Sequence, residues 1–107
     1  MNAIPNLPWS EQYRIVARKW VDADAAASLL EDTKSAFLSQ RMQANADLPV
    51  NRAEAMIKGS PEWADFIDKM VAARKQANLL KVQLEYLKMK FSEWQSENAT
   101  KRAEMRL

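Results

Sequence analysis

LLKVQLEYLKMKFSEW, residues 79–94, decides the fold of this chain. Leu80, Leu84, Leu87, Phe91 and Trp94 recur at steps of four, three, four and three, the spacing that keeps apolar side chains on one seam of a helix. Lysines at 81, 88 and 90 run beside that seam. They pose the functional question: a solvated helix edge, or a surface for a polyanion.

Working outward, the same seam extends back through Ala77, Ala73, Met70 and Phe66 to Ser60-Pro61-Glu62. That triplet is an N-cap, a proline at the first helical position and an acid in the first turn. A helix is expected over about 61–104, spanning roughly 65 Å. Gly59 is the expected C-cap of a short helix over about 52–58, which Asn51 and Glu54 open as a variant capping box. Before it, Asn45-Ala46-Asp47-Leu48-Pro49 is turn chemistry. Upstream, Tyr13, Val16, Trp20, Ala23, Ala27, Leu30 and Phe37 mark a first helix over about 11–44, with Ser10 as its N-cap. Its alanines at 23 and 25–27 allow close helix approach. Residues 1–9, with Pro5 and Pro8, read as an extended arm whose Ile4, Leu7 and Trp9 dock on a helix or a neighbouring subunit.

The reading is therefore all-α. A long antiparallel helical hairpin with a short connecting helix forms one coiled-coil-like domain over 10–107. One glycine in 107 residues, and a composition rich in Ala, Leu, Glu, Gln, Lys and Met, agree with it. Trp20, Phe37, Phe66, Met70, Leu80, Leu84, Leu87, Phe91 and Trp94 form the expected seam. Val71, Leu79, Val82, Tyr86 and Met89 widen the apolar face beyond what two helices cover, so a homo-oligomer is expected to complete the bundle.

The chain has no cysteine and no histidine, which removes disulfides, the commonest zinc ligands and the usual general base near neutral pH. No compact set of carboxylates, lysines or hydroxyls replaces them, so no enzyme, metal or cofactor is expected. The N-terminus has no basic segment followed by an apolar one, and no apolar run approaches the 18–20 residues that span a bilayer. The expectation is a soluble, cytoplasmic protein with no membrane partner.

Charge is divided unevenly. Residues 1–68 carry a net −3 and residues 69–107 a net +5. Arg74, Lys81 and Lys88 are seven apart and Arg102 continues their row. Lys69, Lys75, Lys90, Lys101 and Arg106 flank it or lie near its end. Such a row can follow a phosphate backbone, each cation releasing a condensed counterion. The other reading is a solvated face laced with intrahelical pairs such as Lys81–Glu85 and Glu97–Lys101. Tyr86, Phe91 and Trp94 lie among the cations, where stacking on unpaired bases competes with core packing. Asp22, Asp24, Glu31 and Asp32 do not converge on a metal: neighbours in that set diverge around a helix, which leaves solvated charge or pairing between subunits. The four tryptophans read as packing anchors, and the six methionines suit either core or an adaptable surface.

KWVDADAAASLLEDTKSAFLSQRM (19–42), SPEWADFIDKMVAARKQANLLKVQLEYLKMKFSEWQS (60–96) and ATKRAEMRL (99–107) resemble a group of small phage-encoded helical proteins associated with DNA recombination or replication. In size, helicity and basic-helix character the chain is similar to the UvsY-type recombination mediators. That resemblance implies an oligomer that binds single-stranded DNA and helps load a recombinase onto strands covered by single-strand-binding protein, in the host cytoplasm. It carries over no binding residues. The competing expectation is a helical protein–protein interaction module, such as a host-defence inhibitor or an assembly factor, without nucleic acid.

Overall fold

The computed structural model describes residues 7–106. Three α-helices account for 91% of them: α1 (Trp9–Ala44), α2 (Val50–Lys58) and α3 (Pro61–Arg106), with no strand among the described residues. The fold is all-α, two long helices joined through a short one. No described helix is long and apolar enough to cross a membrane.

The helix boundaries show which local signals the chain obeys. α1 begins at Trp9, earlier than its sequence suggests, because the Pro8 carbonyl accepts from the N–H groups of both Glu11 and Gln12 at 3.0 Å. Ser10 is thus inside the helix and not its cap, and Trp9 belongs to α1 and not to an arm. Of the other arm residues, Leu7 is exposed and Ile4 lies outside the described residues. The Gln12 amide is buried and donates to the Leu7 carbonyl at 2.8 Å, which holds the chain at the helix entry.

At the far end, Asn45 leaves the helix with its side-chain amide on the Arg41 carbonyl at 2.8 Å. α2 starts at Val50 with Pro49 as N-cap and no side-chain cap, so Asn51 and Glu54 do not form the expected box. Glu54 instead pairs with Lys58 one turn on, at 2.7 Å. The start of α3 follows its sequence. The Ser60 hydroxyl accepts from the Trp63 N–H at 3.3 Å and donates to the Ile57 carbonyl at 2.6 Å. One side chain thus caps both the end of α2 and the start of α3. Gly59 closes α2 with φ −89°, a conformation open to any residue. A Cβ there would meet the Ala55 carbonyl oxygen at 3.3 Å, and that crowding is what favours glycine.

The chain packs as two compact units. One holds the chain up to Val21 together with everything from Asn78 on, and the other is Asp22–Ala77. In the first, Val16 of α1 and Leu84 and Leu87 of α3 are buried together, with Trp9, Ala17, Trp20 and Leu80 packed around them. Trp9 meets Phe91 (centroids 6.4 Å apart) and Tyr13 meets Lys88, so the partner on α3 falls as the number on α1 rises. The helices are antiparallel, matched heptad to heptad.

In the second unit the pairing is also antiparallel. Phe37 stacks on Phe66 at 4.9 Å, and Trp63 completes an aromatic triad with centroids 6.0 and 6.5 Å from those two rings. Ala53 and Ile57, one turn apart on α2, are buried, as are Ala27 and Ala77. Of the alanine run in α1 only Ala27 is fully enclosed. Ala25 and Ala26 are exposed, because a run of consecutive residues winds around the helix and cannot stay on one face.

Truncating Leu87 should cost about 2–5 kcal/mol, the range for a buried leucine cut to alanine. Ser60→Ala should cost about 1 kcal/mol through the lost cap. Urea unfolding followed by circular dichroism measures both, and the Leu87→Ala effect is expected to be the larger.

Candidate nucleic-acid interface

The cations named from the sequence do not share one environment. Arg74 is committed within its own unit. Its guanidinium donates from Nη1 to Asp24 Oδ1 at 2.6 Å and from Nη2 to Ser28 Oγ at 3.3 Å. It also holds Glu31 with two parallel bonds, Nε to Oε2 at 2.9 Å and Nη2 to Oε1 at 2.7 Å. Residues 24, 28 and 31 lie on one face of α1 because their offsets of four and seven are one and two helical turns. Arg74 is therefore a clamp between α1 and α3, not a member of a free row. Asp24 and Glu31 are likewise neither simply solvated nor reserved for another subunit. The signal was present in the sequence as the spacing of 24, 28 and 31, but adjacent acids at 22 and 32 masked it.

Two further cations have intrahelical partners. Lys69 reaches Asp65 at 3.0 Å and Lys90 reaches Glu93 at 3.9 Å, both on exposed surface. Lys75 is exposed on α3 in the same unit as Arg74, without a carboxylate partner among the described residues.

Lys81, Lys88, Lys101, Arg102 and Arg106 lie in the unit that contains the 80–94 seam. All five are exposed, and none has a carboxylate partner among the described residues. The intrahelical pairs Lys81–Glu85 and Glu97–Lys101 do not form. At about 100° per residue, Lys81, Lys88, Arg102 and Arg106 fall on one edge of α3, roughly 75° to the side of the buried seam. They span about 38 Å of helix axis. Lys101 projects elsewhere on the helix. Lys88 also sits 5.7 Å over the Tyr13 ring, so its ammonium is steadied by an aromatic face while its charge stays in solvent.

The seam residues grade from core to rim. Leu84 and Leu87 are buried, and Trp20, Leu80, Phe37, Phe66 and Met70 are half-buried. Phe91 and Trp94 are not core. They are 37% and 46% exposed and stacked on each other at 5.9 Å. With Pro8, Trp9, Tyr13, Leu87 and Lys88 they line an open apolar groove of about 700 Å³. The heptad pattern holds through Trp94, but α1 begins only at Trp9, opposite Phe91, and supplies no further helix to cover the end of the seam. Stacked aromatics beside Lys88 can accept a planar apolar group. Tyr86 is half-buried on another face and does not join them.

Among the described residues no three carboxylates gather as they would around a metal ion.

Arg74 and Glu31 carry a pH dependence. Hydrogen bonding from Arg74 holds the Glu31 carboxyl below its ordinary value and raises the guanidinium's own. A carboxyl depressed in the folded state stabilises fully above the ordinary carboxylate range. That contribution is lost as the pH falls through the folded value. Glu31→Gln should therefore lower stability at neutral pH and flatten its decline below about pH 4.5. Denaturant midpoints across an acid series check this, and added salt should shrink the difference because the pair is exposed. Set against known protein families, curated proteins and solved structures, the chain matches none.

Proposed function

We propose that this protein is an oligomeric accessory factor that binds single-stranded DNA and assists a recombinase, in the manner of a recombination mediator. The observation that carries the DNA half is the edge of α3 formed by Lys81, Lys88, Arg102 and Arg106, exposed and without carboxylate partners among the described residues. The one acid of α1 in the same unit, Glu11, pairs with Arg14 on its own helix.

A straight row of cations with no groove-filling loop suits a flexible backbone read by charge and not by sequence. Several copies would join such rows into a multivalent grip, in which each added row raises the effective concentration of the next. The neighbouring groove, with Phe91 and Trp94 stacked beside Lys88, offers an unpaired base a place to stack, and a duplex would offer it none. The recombinase half of the proposal rests on the resemblance to phage recombination proteins.

A second reading has its own support. Leu79, Val82 and Met89 on α3 and Val21 and Leu29 on α1 are about half exposed or more, as in a module that docks other proteins. On that reading the protein is an inhibitor or assembly factor and DNA plays no part.

Fluorescence anisotropy with a labelled oligonucleotide separates the two. Binding at low salt that weakens steeply as salt rises is expected, with a log–log slope of about −0.7 for each phosphate contacted. The double variant Lys81→Glu/Lys88→Glu should abolish binding while the helical signal persists. Arg74→Ala should weaken folding more than it weakens the interaction per folded molecule. No affinity at low salt would leave the docking module as the function.

A further inference from the structure

α3 carries a second apolar row. Leu79, Val82, Tyr86 and Met89 step by three, four and three, which places them on one face about 140° around the helix from the buried seam. They do not widen the seam, as their sequence suggests; they form a separate face. Leu79, Val82 and Met89 are 48, 50 and 60% exposed, and nothing among the described residues covers them.

The row is symmetric about residue 84. Turned end to end and laid against itself, it pairs Leu79 with Met89 and Val82 with Tyr86. α3 is one unbroken helix through both flanks, so its own axis sets the next positions: Lys75 four residues before the row and Glu93 four after. The same register brings Lys75 of one copy against Glu93 of the other, twice. Lys75 has no carboxylate partner among the described residues, and Glu93 has only Lys90, at 3.9 Å. A parallel pairing would set lysine against lysine and glutamate against glutamate.

We infer that α3 pairs antiparallel with α3 of a second copy of this chain, across a two-fold axis beside Leu84, through Leu79, Val82, Tyr86 and Met89 with Lys75–Glu93 pairs at both ends. Such an isologous interface closes on itself. The two-fold axis brings the Glu85 side chains of the two copies towards each other on one flank. Lys81 and Lys88, one turn away on either side, offset that repulsion. That flank is also the side on which both Lys81–Lys88 edges emerge, so pairing sets two cationic rows on one face. The inference supplies an interface for the oligomer of the proposed function, but it stands or falls without DNA.

Sedimentation equilibrium on the full chain, without nucleic acid, tests it. A reversible dimer is expected. Val82→Glu should weaken it by about tenfold or more, the loss of one well-packed contact. Lys75→Glu should weaken it as well, and Lys75→Glu/Glu93→Lys should restore it. Because the chain has no cysteine, orientation can be read by oxidation. Chains carrying Leu79→Cys should cross-link to chains carrying Met89→Cys and not to themselves, since antiparallel pairing sets the two Leu79 positions about 15 Å apart along the axis, beyond disulfide reach. A monomer at all concentrations, or self-linking of Leu79→Cys alone, overturns the inference. A monomer that still binds the oligonucleotide would overturn it while leaving the DNA reading intact.

Discussion

A single helix can cover only one side of another, and that limit governs this protein. α3 is apolar on two faces, and α1 takes the one lined by Leu80, Leu84 and Leu87. Packing side chains at the heptad spacing holds α1 and α3 antiparallel and leaves the Leu79–Met89 row facing outward. The cationic edge lies between the two apolar faces. It is exposed because α1 packs on the seam beside Lys81 and Lys88 and stops short of Arg102 and Arg106, and no other described residue packs over the edge. Core, cationic edge and open apolar face are three consequences of one arrangement.

In the Asp22–Ala77 unit, weight and direction come from different sources. The Phe37–Trp63–Phe66 triad and the buried Ala53 and Ile57 remove apolar surface from water, which dominates the energy. Arg74 contributes less, since exposed ion pairs are worth little. What it supplies is register: a bidentate fork on Glu31 and a third bond to Asp24 fit only one sliding position of α3 along α1. Cations resting on aromatic faces, Lys34 over Trp63 and Arg41 over Phe37, shield the rim of that cluster.

Sequence patterns were most legible where the physics is local. Gly59-Ser60-Pro61 announced a helix end and a helix start because a cap, a missing N–H and a short side chain act within four residues. The turn at 45–49 was legible for the same reason. The signals at Ser10 and Asn51 misled because each had a competitor next to it. Pro8 and Pro49, each two residues earlier, accept the first helical hydrogen bonds on their carbonyls, which places Ser10 and Asn51 inside their helices. The pairs Lys69–Asp65 and Lys90–Glu93 are four and three residues apart, but spacing alone does not single them out, since Lys81–Glu85 and Glu97–Lys101 have the same kind of spacing and do not pair.

From sequence alone follow three helices, their breaks, the seam on α3 and the absence of histidine and cysteine chemistry, because periodicity and capping are properties of neighbouring residues. Tertiary structure decided which of nine similar cations α1 holds: Arg74, among the described residues. Arg74 differs from Lys81 only in what lies across from it, and Asp24, Ser28 and Glu31 are more than forty residues away in the chain. It also decided that Phe91 and Trp94 rim a groove and do not fill a core, since the seam runs on past the point where α1 begins. The first decision depends on which side chains α1 sets across from each cation and the second on where α1 begins, and no window of sequence contains both helices.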